Sequence, residues 1–200
     1  AIIDRINKDH SYPLHIVSNE GTKIIKIENI FAVNANDADA AANALYEADI
    51  CATCVGAKAL KYIIANFSNG VKKRVAANSP PLNLLICENL MDADKYIHSL
   101  LEETLTPEEL EQVGLIETSV GRMVPVPKPE TTADNPLRIC VEQYGILPVD
   151  RDAFVGDAPE IENMVPFSPF HYYIERKLYI HNMGHAICAY LGHYLGHEYI

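Results

Sequence analysis

DICATCVG (49–56), AKALKYIIANFSNGVKKR (57–74) and PLNLLICENL (81–90) follow one another along this chain and indicate its fold class. The first and third segments are short apolar runs, which is typical of strands buried on both faces of a parallel sheet. The segment between them carries apolar residues at helical spacing through Leu60, Ile63, Ile64 and Phe67. A strand, a helix and a second strand in this order predict a parallel sheet covered by helices.

The pattern extends upstream of this unit. Residues 10–18 and 22–33 hold β-branched side chains in partial alternation and predict two strands. Asp37 or Asn36 is positioned to cap a helix that runs to about Ala48.

Downstream, Thr106, Pro107 and Glu109 have the spacing of a capping box with proline in the first helical turn. Segments 115–125 and 136–144 predict further strands. The polar residues between them, 128–136, predict a loop.

The density of proline in VPFSPF (165–170) marks a break, after which the sequence becomes helical from His171 onward. We therefore predict an α/β domain over residues 1–166, with a partial parallel sheet and helices. The start of an all-helical domain is predicted over residues 167–200.

Composition excludes several classes of function. The chain has 27 acidic and 16 basic residues, a formal net charge of -11, which argues against nucleic acids and anionic membranes as partners. A small anionic substrate remains compatible with this charge. The sequence contains no run of about 18 apolar residues, so no transmembrane helix is predicted. The odd number of cysteines, five, does not read as a disulfide framework and favours a reducing cytoplasm.

Four histidines near the end of the chain, at positions 181, 185, 193 and 197, are separated by four or eight residues. A metalloprotease helix would read H-E-x-x-H, but Asn182 and Tyr194 stand where the glutamate is needed. His181 and His197 also lie roughly 160° apart around a helix axis. We therefore predict no metal site and interpret these histidines as surface or partly buried side chains. A metal-binding protein in which the pairs 181/185 and 193/197 each supply two ligands is the weaker alternative.

The segment CATC (51–54) has the C-x-x-C spacing of thioredoxin-like redox sites. Those sites occupy a helix N-terminus, whereas this pair falls in an apolar strand. Two structural, buried thiols are therefore the favoured interpretation, with a redox pair as the alternative.

Lys177, Asn182 and His185 lie within an arc of about 140° on a helix, so that all three can face one cleft. A lysine whose pKa is lowered by burial can act as a general base. Asn and neutral His donate N–H groups to an oxygen that gains negative charge. The three together suit reversible oxidation of an alcohol, although three polar residues on a helix often simply face solvent.

This K-x4-N-x2-H spacing resembles the signature of the polyol-specific long-chain dehydrogenases. The surrounding block FHYYIERKLYIHNMGHAICAYLGHYLGH (170–197) is most similar to the branch that acts on mannitol 1-phosphate. Further landmarks of that branch are NKDHSYPLHIV, ATCVG, SPPLNLLICENL, GLIETSVGRMVP and NPLRICVEQYGILPVD. The resemblance implies a Rossmann-like domain and NAD-linked interconversion of mannitol 1-phosphate and fructose 6-phosphate without a catalytic metal.

The resemblance also implies residue roles. Lys177 would be the general base, and Asn182 and His185 would hold the reacting oxygen. Val55, Gly56, Glu88 and Asn89 follow two strands of the sheet at the edge where dinucleotides bind, although structural turns would explain them equally well.

The resemblance also implies that a third segment, with Glu117, Thr118 and Ser119, lines the nicotinamide side of the cofactor site. Nearby, Arg122 is a candidate for the substrate phosphate, with an internal salt bridge as the alternative. Many relatives have Asp where Gly121 stands, which weakens that assignment.

The family opens with a G-x-G-x-x-G turn, which this sequence lacks. We therefore expect this chain to be a piece of the enzyme that lacks the N-terminal glycine-rich segment and most of the C-terminal domain. Alone, such a piece is expected to bind NAD weakly or not at all and to show no turnover. An inactive fragment or binding module, and an enzyme for free mannitol, arabinitol or hexuronates, are the alternatives. A monomer or weak oligomer is expected.

Overall fold

The computed structural model describes residues 2–125 and 134–198. The strands are β1 (Ser11–Ser18), β2 (Gly21–Glu28), β3 (Ile50–Thr53), β4 (Leu82–Ile86), β5 (Val113–Glu117), β6 (Ile139–Glu142), β7 (Leu147–Asp150) and β8 (Met164–Phe167). The helices are α1 (Ile2–Asp9), α2 (Ala38–Glu47), α3 (Leu60–Ala76), α4 (Ala93–Glu102), α5 (Pro107–Leu110), α6 (His171–Arg176) and α7 (Met183–Tyr194). A π-helical turn, Lys177–Asn182, joins α6 to α7.

The centre of the fold is a parallel sheet in the order β3-β4-β5. All five residues of β4 are buried, as expected for a central strand with both faces covered. Leu82, Leu84 and Ile86 face one core cluster, and Leu85 faces another on the opposite side. The predicted α/β class with parallel strands and covering helices is confirmed.

Helix α3 covers one face of this sheet. Its buried side chains Leu60, Ile64, Phe67 and Val71 recur at helical spacing and pack into the larger core cluster. The stripe predicted from the sequence is therefore the stripe that the helix buries.

Both predicted caps are present. The Asp37 carboxylate accepts a hydrogen bond from the Ala40 amide at 3.0 Å and begins α2. Thr106 and Glu109 form the reciprocal capping box at the start of α5.

The two upstream strands form an antiparallel hairpin in a separate sheet, ordered β2-β1-β6. Strand β6 lies parallel to β1, with Leu14 opposite Ile139. The sequence predicted these strands, but their grouping apart from the central sheet is a finding of the structure.

The parallel pair β7-β8 packs at the end of the central sheet. Thr118, just after β5, forms an isolated bridge with Val149 of β7, and Val149 is fully buried. The Asn83 amide also reaches across, since its Oδ1 accepts from the Val155 amide at 3.0 Å and its Nδ2 donates to the Val155 carbonyl. The bridge at Thr118 holds the first residue after β5 against β7, and the Asn83 contacts hold Val155 against β4.

One sequence expectation is wrong. Strand β3 ends at Thr53, so Cys54 lies beyond it and is exposed, whereas Cys51 is half-buried. Both thiols of the C-x-x-C segment were expected to be buried, but the strand is shorter than the apolar run. Most of the loop predicted at 128–136 lies outside the described residues, and the boundary near Pro166 stays a prediction.

Candidate active site

The carboxyl ends of β3, β4 and β5 meet at one edge of the central sheet, because the strands are parallel. In open α/β sheets this edge is where ligands bind. The chain leaves the three strands through residues 54–56, 87–89 and 118–119. The candidate site is built on these three short segments.

The first two segments are tied together by one carboxylate. Glu88, which is buried, accepts from the Val55 amide through Oε1 and from the Gly56 amide through Oε2, both at 2.9 Å. The structure therefore brings together three of the four predicted cofactor-binding residues, and Asn89 follows Glu88 as an exposed residue. Gly56 has φ +84°, and a Cβ there would meet nothing within 4 Å, so open space faces this turn.

The third segment is anchored by Thr118, whose buried Oγ1 donates to the Ile86 carbonyl at 2.8 Å. Burial raises the pKa of the Glu117 carboxyl, and the neighbouring carboxylates of Asp94, Asp92 and Asp150 raise it further. Ser119 is buried and lines the wall of a cavity described below.

Lys177 stands where this edge meets the C-terminal helices. On one side it lines a narrow cleft with Asn89, Thr118 and Ile174. On the other it lines a cavity of about 440 Å³. Burial lowers the pKa of the Lys177 amine below its ordinary value, and the nearby Cys87 thiol opposes this shift. A lowered pKa makes the neutral amine, the form that accepts a proton, more available.

Within the part of the chain that the structure describes, the larger cavity has a mixed polar and apolar wall. Its lining residues are Ser119, Gly121, Glu142, Tyr144, Arg176, Lys177, Ile180 and His181. Its volume is within the range of pockets that hold small ligands.

The K-x4-N spacing coincides with the π-helical turn, which begins at Lys177 and ends at Asn182. A π turn holds about one residue more than an α turn, so five residues bring the chain back to nearly the same face. Isolated π turns are frequent at functional sites. Asn182 is half-buried and His185 is exposed, and neither is among the described residues that line the cavity.

His181 is one of the cavity residues to which the sequence analysis gave no role at this site, with Glu142, Tyr144, Arg176 and Ile180. Its ring lies 4.5 Å from that of His185, centroid to centroid, in an edge-on arrangement. The separation of four residues from Lys177 is a helical signal that could have identified it. Convergence of Lys177, Asn182 and His185 on one cleft stays a prediction.

Arg122 lies beside the cavity. Its Nε donates to the Glu142 carbonyl at 3.2 Å, and its guanidinium packs over Gly145, where a Cβ would lie 3.3 Å from Nη2. The Glu142 carboxylate accepts from the Met123 amide at 2.6 Å. The hydrogen bond described for Arg122 is thus made to the backbone carbonyl of Glu142. Its substrate-binding role stays a prediction.

Two further observations bear on the class of site. Within residues 2–125 and 134–198, no three His, Cys, Asp or Glu side chains are grouped so that they could hold a metal ion. No helix of the same residues has the length and apolar character required to cross a membrane.

Comparison with known proteins supports this assignment of the fold. The family described as the mannitol dehydrogenase Rossmann domain matches residues 1–163. Mannitol-1-phosphate 5-dehydrogenase of Brevibacillus brevis is 30% identical over 98% of this chain. This chain spans 50% of that relative's length.

Two solved structures share the fold. A substrate-free D-sorbitol dehydrogenase matches with a TM-score of 0.80 and 14% identity, over 96% of this chain and 49% of its own. The ternary complex of Pseudomonas fluorescens mannitol 2-dehydrogenase with NAD and D-mannitol matches with a TM-score of 0.78 and 17% identity, over 98% of this chain and 50% of its own. The predicted Rossmann-like domain is thereby confirmed, and the chain belongs to the mannitol dehydrogenase family of oxidoreductases.

Proposed function

We propose that the protein carrying this chain is an NAD-dependent dehydrogenase that interconverts mannitol 1-phosphate and fructose 6-phosphate, with Lys177 as general base. The observation that carries the proposal is the position of Lys177 between the carboxyl edge of the sheet and the 440 Å³ cavity. The phosphorylated substrate is favoured by the 30% identity to mannitol-1-phosphate 5-dehydrogenase.

The carboxyl edge fits one side of a dinucleotide. Gly56 faces open space at a turn with positive φ, and Val55 and Asn89 are exposed on the same edge. Glu88 would fix the turn rather than contact the ligand, since both of its oxygens accept amide hydrogen bonds. NAD bound here would supply the acceptor for the hydride that leaves the substrate carbon.

Different residues of the chain then act on the substrate hydroxyl and on the substrate phosphate. The neutral Lys177 amine accepts the hydroxyl proton as the alcohol becomes a ketone. Asn182 and His185 hold the reacting oxygen with N–H donors, as the family resemblance implies. Arg122 is the candidate for the phosphate, because a guanidinium matches phosphate geometry.

An inactive fragment or binding module is the alternative, since the sequence contains no G-x-G-x-x-G turn. Such a chain would keep the sheet and Lys177 but would not hold the cofactor. Related activities on free mannitol, arabinitol or hexuronates are a further alternative, since the Lys, Asn and His set does not distinguish these substrates.

The test is the intact mass of the purified protein, followed by NADH-dependent reduction of fructose 6-phosphate, with free fructose as the competing substrate. We expect a mass well above 22.2 kDa, reduction of fructose 6-phosphate in preference to fructose, and loss of activity in Lys177→Ala. Lys72→Ala, an exposed lysine on α3, is the matched control and should retain activity.

A mass near 22.2 kDa without NADH-dependent reduction would support the fragment. A preference for free fructose over fructose 6-phosphate would contradict the assignment of a phosphorylated substrate. Activity retained in the Lys177→Ala variant would contradict the assignment of Lys177 as general base.

A further inference from the structure

Cys54 and Cys87 occupy matching positions at the ends of adjacent parallel strands. Thr53 is paired with Ile86 in the register of β3 and β4, so the next residues along each strand are Cys54 and Cys87. Side chains in matching positions of a parallel pair point to the same face of the sheet. Cys51, three residues before Cys54, points to the opposite face, where it packs against the core cluster beneath α3.

Two fixed contacts hold the strands together on either side of this cysteine pair. Before it, the Cys87 amide donates to the Thr53 carbonyl at 3.2 Å. After it, the Glu88 carboxylate binds the amides of Val55 and Gly56. Neighbouring strands lie about 4.8 Å apart. That separation is within the roughly 4.4–6.8 Å between Cα atoms that a disulfide spans.

The two thiols differ in exposure. Cys54 is exposed and open to a dissolved oxidant. Cys87 is half-buried, and burial raises the pKa of its thiol to about 11, with the neighbouring Cys54 adding to the rise. This effect of Cys54 on the pKa of Cys87 agrees with the placement of the two residues in register. An exposed thiol beside a protected one is the arrangement of an attacked cysteine and a resolving cysteine.

We propose that Cys54 and Cys87 are a reversible thiol pair that hydrogen peroxide converts to a disulfide. The Cys54 thiolate attacks the peroxide, an S–O bond forms, the O–O bond breaks, and hydroxide leaves and takes up a proton as water. The Cys87 sulfur then attacks the Cys54 sulfenic acid, an S–S bond forms, the S–O bond breaks, and a second water leaves with the Cys87 proton. Both sulfurs are oxidised, and the peroxide is reduced to two waters.

The disulfide would act on the site around Lys177, an effect that rests on the proposed function. Cys87 is close enough to Lys177 to influence its amine, and Cys54 directly precedes Val55 and Gly56. Drawing Cys54 towards Cys87 would shift the turn that Glu88 fixes. We therefore expect the oxidised protein to lose dehydrogenase activity at least tenfold and the reduced protein to regain it.

The pair is tested without any activity measurement. The purified protein is treated with hydrogen peroxide, quenched, and mapped by mass spectrometry under non-reducing conditions, with and without dithiothreitol. We expect two fewer free thiols and a cross-linked peptide that joins Cys54 to Cys87 and is released by dithiothreitol. Cys54→Ser and Cys87→Ser should each abolish the cross-link, whereas Cys188→Ser, which removes another exposed thiol, should retain it. The same treatment in urea should lose the selectivity.

Oxidation of Cys54 to a sulfinic acid while Cys87 keeps its thiol would overturn the proposal, and so would a link from Cys54 to Cys140 or Cys188. The activity assay, run on the same samples, separates the two ideas. If the protein forms the cross-link with peroxide but shows no activity on fructose 6-phosphate before that treatment, only the proposed function is contradicted. A cross-linked protein that keeps full activity contradicts the effect on the site.

Discussion

The carboxylate of Glu88 binds the backbone of Gly56 across the end of the central sheet, with 2.9 Å between Oε2 and the amide nitrogen. Its second oxygen binds the preceding amide, so one buried side chain closes the turn after β3. A residue predicted to contact the cofactor thus serves first to shape the edge on which a cofactor would lie.

We predict that Glu88→Gln lowers the free energy of unfolding by about 1–3 kcal/mol, because the amide keeps one acceptor and presents an N–H to a second donor. Urea unfolding measures the change. Glu103→Gln, an exposed change of the same chemistry, is the control and should leave the stability within about 0.5 kcal/mol. Equal effects of the two substitutions would contradict the structural role of the Glu88 hydrogen bonds.

Lys177 should make stability depend on pH. Burial lowers its pKa, so the folded protein binds this proton less tightly than the unfolded chain. The charged amine therefore costs stability at neutral pH, and the cost disappears as the pH rises through the folded pKa towards 10.5.

We accordingly expect Lys177→Met to be more stable than the parent at pH 7, with a difference that shrinks by pH 10, while its activity is lost. Urea unfolding at both values checks this expectation. Lys72→Met is the matched exposed control. A Lys177→Met protein that is less stable at pH 7 would refute the burial argument.

The five cysteines should react with iodoacetamide in a definite order. Burial raises the pKa of Cys51 and Cys87 to about 11, so at pH 8 only about one thousandth of each is thiolate. Peptide mapping over time should show the exposed Cys54 and Cys188 labelled first. In urea the difference should disappear, and labelling of Cys51 as fast as Cys188 in the folded protein would contradict its burial.

Arg74 should be the most costly charged side chain of α3 to remove. Its buried Nη1 donates to the carbonyls of Tyr46 and Ala48 at 2.6 and 2.7 Å, and its Nη2 donates to Pro80 at 2.9 Å. We expect Arg74→Met to lower the free energy of unfolding by about 3 kcal/mol, because a buried guanidinium loses its hydrogen bonds to three backbone carbonyls.

Arg74→Lys should recover only part of that loss, since an ammonium group lacks the planar fork. Thermal or urea unfolding provides the measurement, with the exposed Arg151→Met as control. A loss below about 0.5 kcal/mol would mean that water satisfies these carbonyls.

The elements of the fold could be predicted because their signals are local. The apolar stripe of α3, the Asp37 cap and the capping box at Thr106 all lie within a few turns of chain, and each is present in the structure. Hydrophobic periodicity and capping depend on neighbouring residues, so the sequence is sufficient to identify them.

The sequence by itself thus determined the α/β class, the strands and the helix at the centre of the fold and, through its resemblance, the family to which the chain belongs. It did not predict α4, β7 or β8. Only the tertiary structure decided which distant residues meet. Strand β6 pairs with β1, Cys54 lies beside Cys87, and Lys177 shares one cavity with Ser119 and Glu142. Such contacts join segments far apart in the chain, and packing of the whole core selects them where no local period does.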